Sequence, residues 1–404
     1  MKSKSAFQWK NNLVPLVPEL DATASRAEFR PDIQALRALA VLLVVLYHAR
    51  IPGVHGGFFG VDVFFVVSGF VITNVLLRER SSKGSISIPG FYARRIRRIL
   101  PAATVVLIAT IFATYHWLSF ITGSSVAEDA KYVASFIGNF HFASVGTQYF
   151  TASQPPSTLQ QYWSLAVEEQ FYLAWPVLFL LLTLPWKVFS PVTRLLSILS
   201  LVIAVSLAWC IIETRQNEIW AFFSPLTRAW ELALGALLAV VAPHLRGRAP
   251  RLGFVLASVG LLAVLLCTWF YSSATLWPGM AVIIPVVASG MIIAGGSLRG
   301  PGSFGRLVNF TPVQWVGNIS YSLYLVHWPV IAIATQYALA PLPLRSEIEL
   351  VAISVALAAI LYYVIENPVR KSKWLASRRL VTFAFGAALI GLSFAAISWH
   401  LSHY

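Results

Sequence analysis

The sequence predicts an all-α, polytopic membrane protein: a bundle of about eleven transmembrane helices with a cytoplasmic N-terminus. Of the 404 residues, 57% are hydrophobic and only 11% are charged, whereas soluble domains carry about 25% charged residues. Apolar runs of roughly the 20 residues needed to cross a bilayer recur along the whole chain. Lys and Arg are concentrated in alternate connectors, which is the distribution that orients membrane proteins.

The apolar runs define the predicted helices, allowing for tilt and kinks. They lie near 33–50, 58–77, 99–118, 163–184, 195–212, 226–243, 252–271, 280–297, 314–334, 348–365 and 380–400. With the N-terminus inside, the outer side or outer helix ends receive only five of the 30 Lys and Arg: Arg50, Lys131, Arg215, Arg228 and Arg345. This bias accounts for the net charge of +14 without a nucleic-acid partner.

Two segments lie outside these runs. The first thirty residues are polar and lack an apolar run ending in a small-residue cleavage site, so we expect a soluble tail and no signal peptide. The connector Ser119 to Gln161 is the longest outer segment, and its apolar stretch Tyr132 to Phe142 is too short to span. We expect that stretch to be a re-entrant or surface helix. Cys210 and Cys267 lie in apolar runs, so no disulfide framework is indicated.

Arg37, His48 and Asp62 interrupt the first two runs. A charge at the centre of a spanning helix costs roughly 2.5 to 3.5 kcal/mol on insertion scales, so such residues usually face a protein interior. Arg37 and His48 are eleven residues apart, which places them on one helix face about 16 Å apart. We call this face the arginine–histidine stripe. A short hairpin brings Asp62 towards His48, so we expect Asp62 or Glu168 as its acidic partner; the alternative is a hydrogen-bonded packing histidine.

The inner connector after the second run contains FYARRIRRILP, with Arg94, Arg95, Arg97 and Arg98. Such a cluster can simply fix the topology of the chain. It can also bind phosphate, because the guanidinium group matches phosphate oxygens in bidentate geometry. The absence of Lys from the cluster and its position one hairpin from the arginine–histidine stripe favour the phosphate site.

Glu168 and Glu169 are adjacent near the start of the fourth run, in QYWSLAVEEQFYLAWP. Ser164, Glu168 and Tyr172 are spaced to share one helix stripe. Two carboxylates at this depth must be paired or protonated. They either pair with Arg228 or another arginine, or they orient a catalytic group near the outer face.

Later runs contain further polar groups. His327, next to a Trp–Pro pair, is expected to be structural. The simplest local contacts are ion pairs of Arg228 with Glu231 and of Glu366 with Arg370, and close helix packing at Gly60 and Gly69.

The ordered set of motifs resembles the membrane-bound acyltransferase 3 family, whose members O-acylate surface polysaccharides, peptidoglycan, glycolipids and some macrolides. The motifs are Arg-x10-His, GGFFGVDVFFVVSGFVIT, FYARRIRRILP, WSLAVEEQFYL, TRAWELALG, ISYSLYLVHWP and IENPVRK, and they cover roughly residues 30 to 370. Arg37 and His48 match the family's Arg/His pair, which is regarded as essential for acyl transfer. Arg95 and Arg98 match its RxxR motif, implicated in acyl-CoA handling, and Glu168 matches the glutamate of its WSLxVEEQFYL motif.

The chain departs from this pattern at two positions. Family members often carry a histidine two residues before the WSL tryptophan, where this chain has Gln161, and Ala166 replaces a common serine. This chain therefore has no histidine at that position for a mechanism that uses one. The resemblance divides the chain into a polar tail (1–30), a transmembrane acyltransferase domain (31–370) and a basic loop with an extra helix (371–404). The extra helix resembles the subgroup with an extracytoplasmic SGNH-type esterase domain, so such a domain or partner is expected on the outer side.

The resemblance implies transfer of an acyl group, most simply acetyl, from cytoplasmic acyl-CoA to a hydroxyl of an extracytoplasmic glycan or glycolipid. The expected donor is acetyl-CoA, no metal is needed, and the location is the plasma (inner) membrane. We expect Arg94, Arg95 and Arg98 to hold the CoA phosphates and Arg37 to anchor the pantetheine arm or pair with a carboxylate. His48 then acts as general base or briefly accepts the acyl group, supported by Asp62 or Glu168.

Two other functions compete with this interpretation. Arg37, Asp62 and the Glu168–Glu169 pair could line the pathway of a proton-coupled transporter for a lipid-linked glycan. No internal repeat or pair of broken helices supports such a carrier. A histidine-dependent membrane acyltransferase of another fold would place its histidine far along the chain rather than in the first helix.

Overall fold

A computed structural model describes residues 29–146, 155–184, 189–300 and 305–403, and all regular structure in these ranges is helical. Residues 1–28 of the predicted tail lie outside the described residues. The α-helices are α1 (Pro31–His48), α2 (Gly60–Lys83), α3 (Ile88–Trp117), α4 (Phe120–Ala134), α5 (Gly138–Ser144), α6 (Tyr162–Leu182), α7 (Pro191–Gln216), α8 (Glu218–Phe223), α9 (Pro225–Leu245), α10 (Pro250–Phe270), α11 (Ile283–Arg299), α12 (Thr311–Ala338), α13 (Leu344–Leu361), α14 (Asn367–Lys371), α15 (Lys373–Ser377) and α16 (Arg379–His403). A 3₁₀ turn, Gly57–Phe59, precedes α2, and a π-helical turn, Tyr362–Glu366, joins α13 to α14.

Local sequence sets several helix ends. Ser190 and Ser224 each precede a proline at the first helical position, where the missing N–H of proline costs no hydrogen bond. The Ser190 hydroxyl accepts the Thr193 N–H at 3.1 Å, which satisfies one of the free donors at the start of α7. Gly84 follows α2 with φ of 68°, the left-handed conformation that commonly ends a helix and that glycine adopts without strain.

All eleven predicted runs fall on helices. Within the described ranges, ten helical segments are long and apolar enough to cross a membrane. The run at 280–297 falls on α11, an apolar helix of 17 residues that is about 25 Å long. The all-α, polytopic fold is confirmed, while the side of the membrane that the N-terminus faces stays a prediction.

The outer connector differs from its prediction. Tyr132 to Phe142 does not form one helix, because α4 ends at Ala134 and α5 begins at Gly138. Phe136, in the turn between them, has φ of 55°. The hydrophobic run therefore covers the end of one helix, a turn and the start of a second. Residues 147–154 of this connector lie outside the described residues.

Glycine allows α2 and α9 to pack backbone to backbone. A Cβ added to Gly69 would overlap the carbonyl oxygen of Leu232, and one added to Gly235 would overlap that of Val66. Gly60 approaches the Ala40 carbonyl of α1 in the same way. The expected packing role of Gly60 and Gly69 is confirmed. Small residues are what permits such close approach between helices in a membrane.

We expect Gly235→Ala to destabilise the protein, because its added methyl group meets backbone rather than a side chain that could move. Inserting a methyl group into a packed site costs about 1 to 3 kcal/mol. Thermal unfolding in detergent should show a lower Tm. Gly391→Ala is the matched control, because Gly391 is an exposed residue of α16 with no atom within 4 Å of an added Cβ. Equal Tm values for the two variants would contradict this account of the α2–α9 contact.

Candidate active site

The arginine–histidine stripe of α1 faces α12. Arg37 donates from Nη2 to the Ser320 hydroxyl at 2.8 Å, and His48 Nδ1 lies 3.0 Å from His327 Nε2. Ser320 and His327 are seven residues, or two turns, apart on α12, so both contacts are made along one line between the two helices. The prediction that Arg37 and His48 share one face is confirmed.

The two histidine rings form an aromatic stack in which His327 is buried and His48 is half-buried. Their ring centroids are 5.2 Å apart with an angle of 19° between the planes. The His327 side chain is fully buried, and its Nδ1 lies 3.1 Å from the Leu323 carbonyl oxygen. The Trp328 ring packs on His48 at 4.6 Å. Sequence reasoning treated His327 as structural and missed this contact; the available signal was a second histidine inside an apolar helix.

A cavity of about 750 Å³ opens at one end of the bundle, a volume within the usual range for ligand sites. The residues at its mouth lie at helix ends: Arg78 near the end of α2, Arg246 after α9, and Asn309 before α12. The topology predicted from the charge distribution would place this end on the cytoplasmic side. Deeper in the bundle the cavity is lined by Arg37 and Arg98, together with Ser68, Ser164, Glu168 and Tyr324.

Tyr324 separates the deep end of the cavity from the histidine pair. Its hydroxyl hydrogen-bonds the Ser164 hydroxyl at 2.6 Å and donates to the Gln161 carbonyl oxygen at 3.0 Å. On its other side, the Tyr324 ring lies 5.5 Å from the His327 ring. The Gln161 side chain donates to the Leu325 carbonyl at 3.1 Å. The position where family members often carry histidine therefore contacts α12 next to Tyr324.

Glu168 lies in the wall of the cavity. It accepts hydrogen bonds from the hydroxyl groups of Ser68 and Tyr172. Ser164, Glu168 and Tyr172 all line the cavity, so the predicted stripe on this helix is confirmed. The alternative paired Glu168 and Glu169 with Arg228 or another arginine, and its Arg228 form is wrong, because Arg228 is bonded to Asp62 and Glu231. Glu168 is thus a polar wall group whose catalytic role stays a prediction.

The predicted phosphate-binding arginines separate in the structure. Arg98 lines the cavity, and the Arg95 guanidinium lies over the Tyr172 ring at 4.4 Å, behind the cavity wall. Arg94 Nη2 instead forms an ion pair with Glu79 at 2.6 Å. The expectation that these three arginines form one clamp is corrected. Arg94 and Arg98 are one turn apart on the same face of α3, but the Arg94 side chain is bound to Glu79 on α2 and does not line the cavity.

Asp62 is bonded to an arginine rather than placed as a partner of His48. Arg228 Nη1 lies 2.6 Å from Asp62 Oδ1 and 3.2 Å from Glu231 Oε1, and all three side chains are at most 2% exposed. The predicted Arg228–Glu231 pair is confirmed, and so is the Glu366–Arg370 pair at 3.9 Å. The expectation that Asp62 supports His48 is corrected, because a buried guanidinium needs compensating carboxylates.

The fold and this site define a multi-pass helical membrane protein in which an arginine-lined cavity leads towards a pair of stacked histidines. The sequence model of the family described as "Acyltransferase domain" (Acyl_transf_3) matches residues 30–366. The chain belongs to this acyltransferase 3 family.

Several curated proteins are similar to this chain. A putative peptidoglycan O-acetyltransferase of Bacillus subtilis is 34% identical over 84% of this chain and 55% of its own length. A peptidoglycan O-acetyltransferase of Listeria monocytogenes is 33% identical, over 85% of this chain and 56% of its own. A putative O-acetyltransferase of Staphylococcus aureus is 31% identical, over 86% and 58%. The chain spans little more than half the length of these relatives, and no solved structure matches it.

Proposed function

We propose that this chain is a membrane-bound O-acyltransferase that moves an acetyl group from cytoplasmic acyl-CoA to a hydroxyl of an extracytoplasmic glycan. The observation that carries the proposal is the cavity that runs from arginines at one end of the bundle to Tyr324, next to the His48–His327 pair. An enzyme with a charged cytoplasmic donor and an acceptor across the membrane needs such a path.

The cavity carries positively charged arginine side chains that could bind the phosphate groups of CoA. Arg78 and Arg246 lie at the mouth of the cavity, and Arg98 lies farther in. Guanidinium groups bind phosphate oxygens in bidentate fashion, so these residues hold the nucleotide end of CoA. Arg37, on Ser320, lies deeper and meets the pantetheine arm. The thioester then approaches Tyr324 and the histidine pair.

His48 is the proposed catalytic base. It takes the proton of the acceptor hydroxyl as the acceptor oxygen bonds to the acyl carbon and the carbon–sulfur bond breaks, and the CoA thiolate leaves through the cavity. General base catalysis of this kind contributes typically 10²- to 10⁴-fold. The half-buried position of His48 beside Trp328 limits access of water, which would otherwise hydrolyse the thioester.

Peptidoglycan is the acceptor that the relatives suggest, because two of them carry it in their names. We propose a cell-wall glycan as acceptor and the plasma membrane as location. The relatives extend well beyond the matched region, so an SGNH-type esterase domain or partner on the outer side remains part of the proposal. The basic loop and final helix at 371–404 would connect the acyltransferase domain at 31–370 to it.

Purified protein in detergent, mixed with radiolabelled acetyl-CoA, tests the proposal. We expect binding of the donor, slow release of acetate, and label transfer to added cell-wall glycan fragments. A proton-coupled glycan transporter would neither bind nor consume acetyl-CoA. Absence of both binding and turnover from folded protein would refute the acyltransferase.

Arg98→Gln should raise the KM for acetyl-CoA about 10-fold or more while changing kcat less, because a lost charge-assisted hydrogen bond is worth about 1.5 to 3 kcal/mol. Isotope-transfer kinetics measure both constants. Arg251→Gln, at an exposed arginine near the start of α10, is the control for the loss of one positive charge. If Arg251→Gln raised the KM as much as Arg98→Gln, overall charge rather than the cavity would govern donor binding.

A further inference from the structure

We infer that His327 is the positioning residue for His48: it holds His48 in the tautomer whose lone pair is on Nε2, through a chain of hydrogen bonds that ends on the Leu323 carbonyl. The evidence for these hydrogen bonds is the geometry of the contacts within α12 and between α1 and α12. Its catalytic meaning rests on the proposed function.

The chain starts at the backbone. A carbonyl oxygen only accepts hydrogen bonds, so the His327 Nδ1 that lies 3.1 Å from the Leu323 oxygen carries a hydrogen. Neutral imidazole has one N–H and one lone pair, which leaves the lone pair of His327 on Nε2. The His327 side chain is fully buried, so bulk water does not compete for this hydrogen bond.

The next step fixes His48. Its Nδ1 lies 3.0 Å from His327 Nε2, a distance at which one nitrogen donates and the other accepts. Because His327 Nε2 accepts, His48 Nδ1 is the donor and the His48 lone pair lies on Nε2. The opposite assignment would require a doubly protonated His327 at a fully buried position, and a buried charge without a compensating partner is strongly unfavourable.

Two carboxylates, those of Asp62 and Glu168, were predicted from the sequence as partners of His48, and both are bonded to other residues. Asp62 binds Arg228, and Glu168 accepts from Ser68 and Tyr172. His327 therefore does for His48 what an aspartate does in a Ser–His–Asp triad, which is to hold the ring and select its tautomer. The difference is that this support is uncharged.

The inferred arrangement serves acyl transfer directly. His48 Nε2 receives the proton of the acceptor hydroxyl as the oxygen–carbon bond forms and the thioester carbon–sulfur bond breaks. His48 Nδ1–H stays bonded to His327 throughout, and Trp328 packs on the ring. With the other tautomer, Nε2 would carry a hydrogen and would be unable to accept the proton.

Two substitutions test the function of His327. His327→Gln keeps an oxygen that can accept from His48 Nδ1, whereas His327→Leu keeps volume and removes the acceptor. We expect kcat to fall at least 10-fold in His327→Leu and less than threefold in His327→Gln, with the KM for acetyl-CoA unchanged in both. Equal losses of kcat in the two variants would show a packing role and overturn the inference.

Nitrogen NMR provides a readout that needs no activity. In protein labelled with ¹⁵N-histidine, the His48 signals are those absent from His48→Gln. We expect a protonated Nδ1 and an unprotonated Nε2 in the wild type, and a mixture of tautomers in His327→Leu. A lone pair on His48 Nδ1 in the wild type would overturn the inference even in active enzyme. If the expected tautomer were found in protein that neither binds nor consumes acetyl-CoA, the proposed function would be refuted and the inference about His48 and His327 would stand.

Discussion

His48→Ala is expected to lower acetyl transfer by 10²- to 10⁴-fold while the protein stays folded in the membrane. The side chain lies between His327 and Trp328 at the end of α1, so its removal deletes the proposed base without breaking a buried ion pair. Transfer of label from acetyl-CoA to the glycan acceptor, at matched amounts of membrane protein, measures the loss.

His55→Ala is the matched control, because His55 is an exposed histidine in the loop that follows α1. It removes one imidazole from the same side of the bundle and should leave transfer near the wild-type rate. Full activity in His48→Ala would refute the assignment of the base. Equal loss in both variants would point to the loop rather than to the histidine pair.

Arg228→Met is expected to be the most destabilising single substitution in the bundle. Arg228, Asp62 and Glu231 are almost completely buried and bonded to one another. Removal of the guanidinium leaves two carboxylates without their cation, and breaking a buried pair in this way costs about 3 to 5 kcal/mol. The loss should appear as a markedly lower Tm in detergent and as reduced yield from the membrane.

Removing the two carboxylate charges as well should partly restore the stability lost in Arg228→Met. Asp62→Asn and Glu231→Gln remove the uncompensated charges, so the triple variant with Arg228→Met should recover part of the lost stability. Arg345→Met is the control, because it breaks an exposed pair with Glu349 on α13, and such pairs contribute little. A triple variant less stable than Arg228→Met alone would show that charge compensation is not what these residues provide.

Asp62→Asn alone separates two roles for that carboxylate. If Asp62 supported His48, this variant would lose transfer at unchanged stability. The structure predicts the reverse, with a lower Tm and with the activity of the remaining folded protein near that of the wild type, because Asp62 bonds to Arg228.

Sequence reasoning succeeded where the signal was local. The eleven apolar runs depend only on length and hydrophobicity within one segment. The shared face of Arg37 and His48 and the stripe of Ser164, Glu168 and Tyr172 depend on helix periodicity within one segment. The i, i+3 and i, i+4 ion pairs were found for the same reason. The family resemblance was likewise carried by short motifs in order, and the family match confirms it.

Sequence reasoning failed where side chains from helices far apart in the sequence contact each other. Proximity in the hairpin suggested Asp62 for His48, yet an arginine 166 positions away in sequence binds Asp62. His327 was taken as structural because nothing near it indicates its partner, which is 279 positions away. The arginine cluster looked like one clamp, but Arg94 reaches Glu79 on the preceding helix.

By itself the sequence determined the all-helical, many-spanning fold and the family, because a bilayer requires every spanning segment to be apolar and to satisfy its own backbone hydrogen bonds. Each spanning segment can therefore be recognised from its own residues, independently of the other segments. Only the tertiary structure decided which polar side chains meet inside the bundle: Arg37 with Ser320, His48 with His327, and Asp62 with Arg228. Those contacts depend on how helices rotate and pack against one another, through close approaches such as that of Gly69 to Leu232.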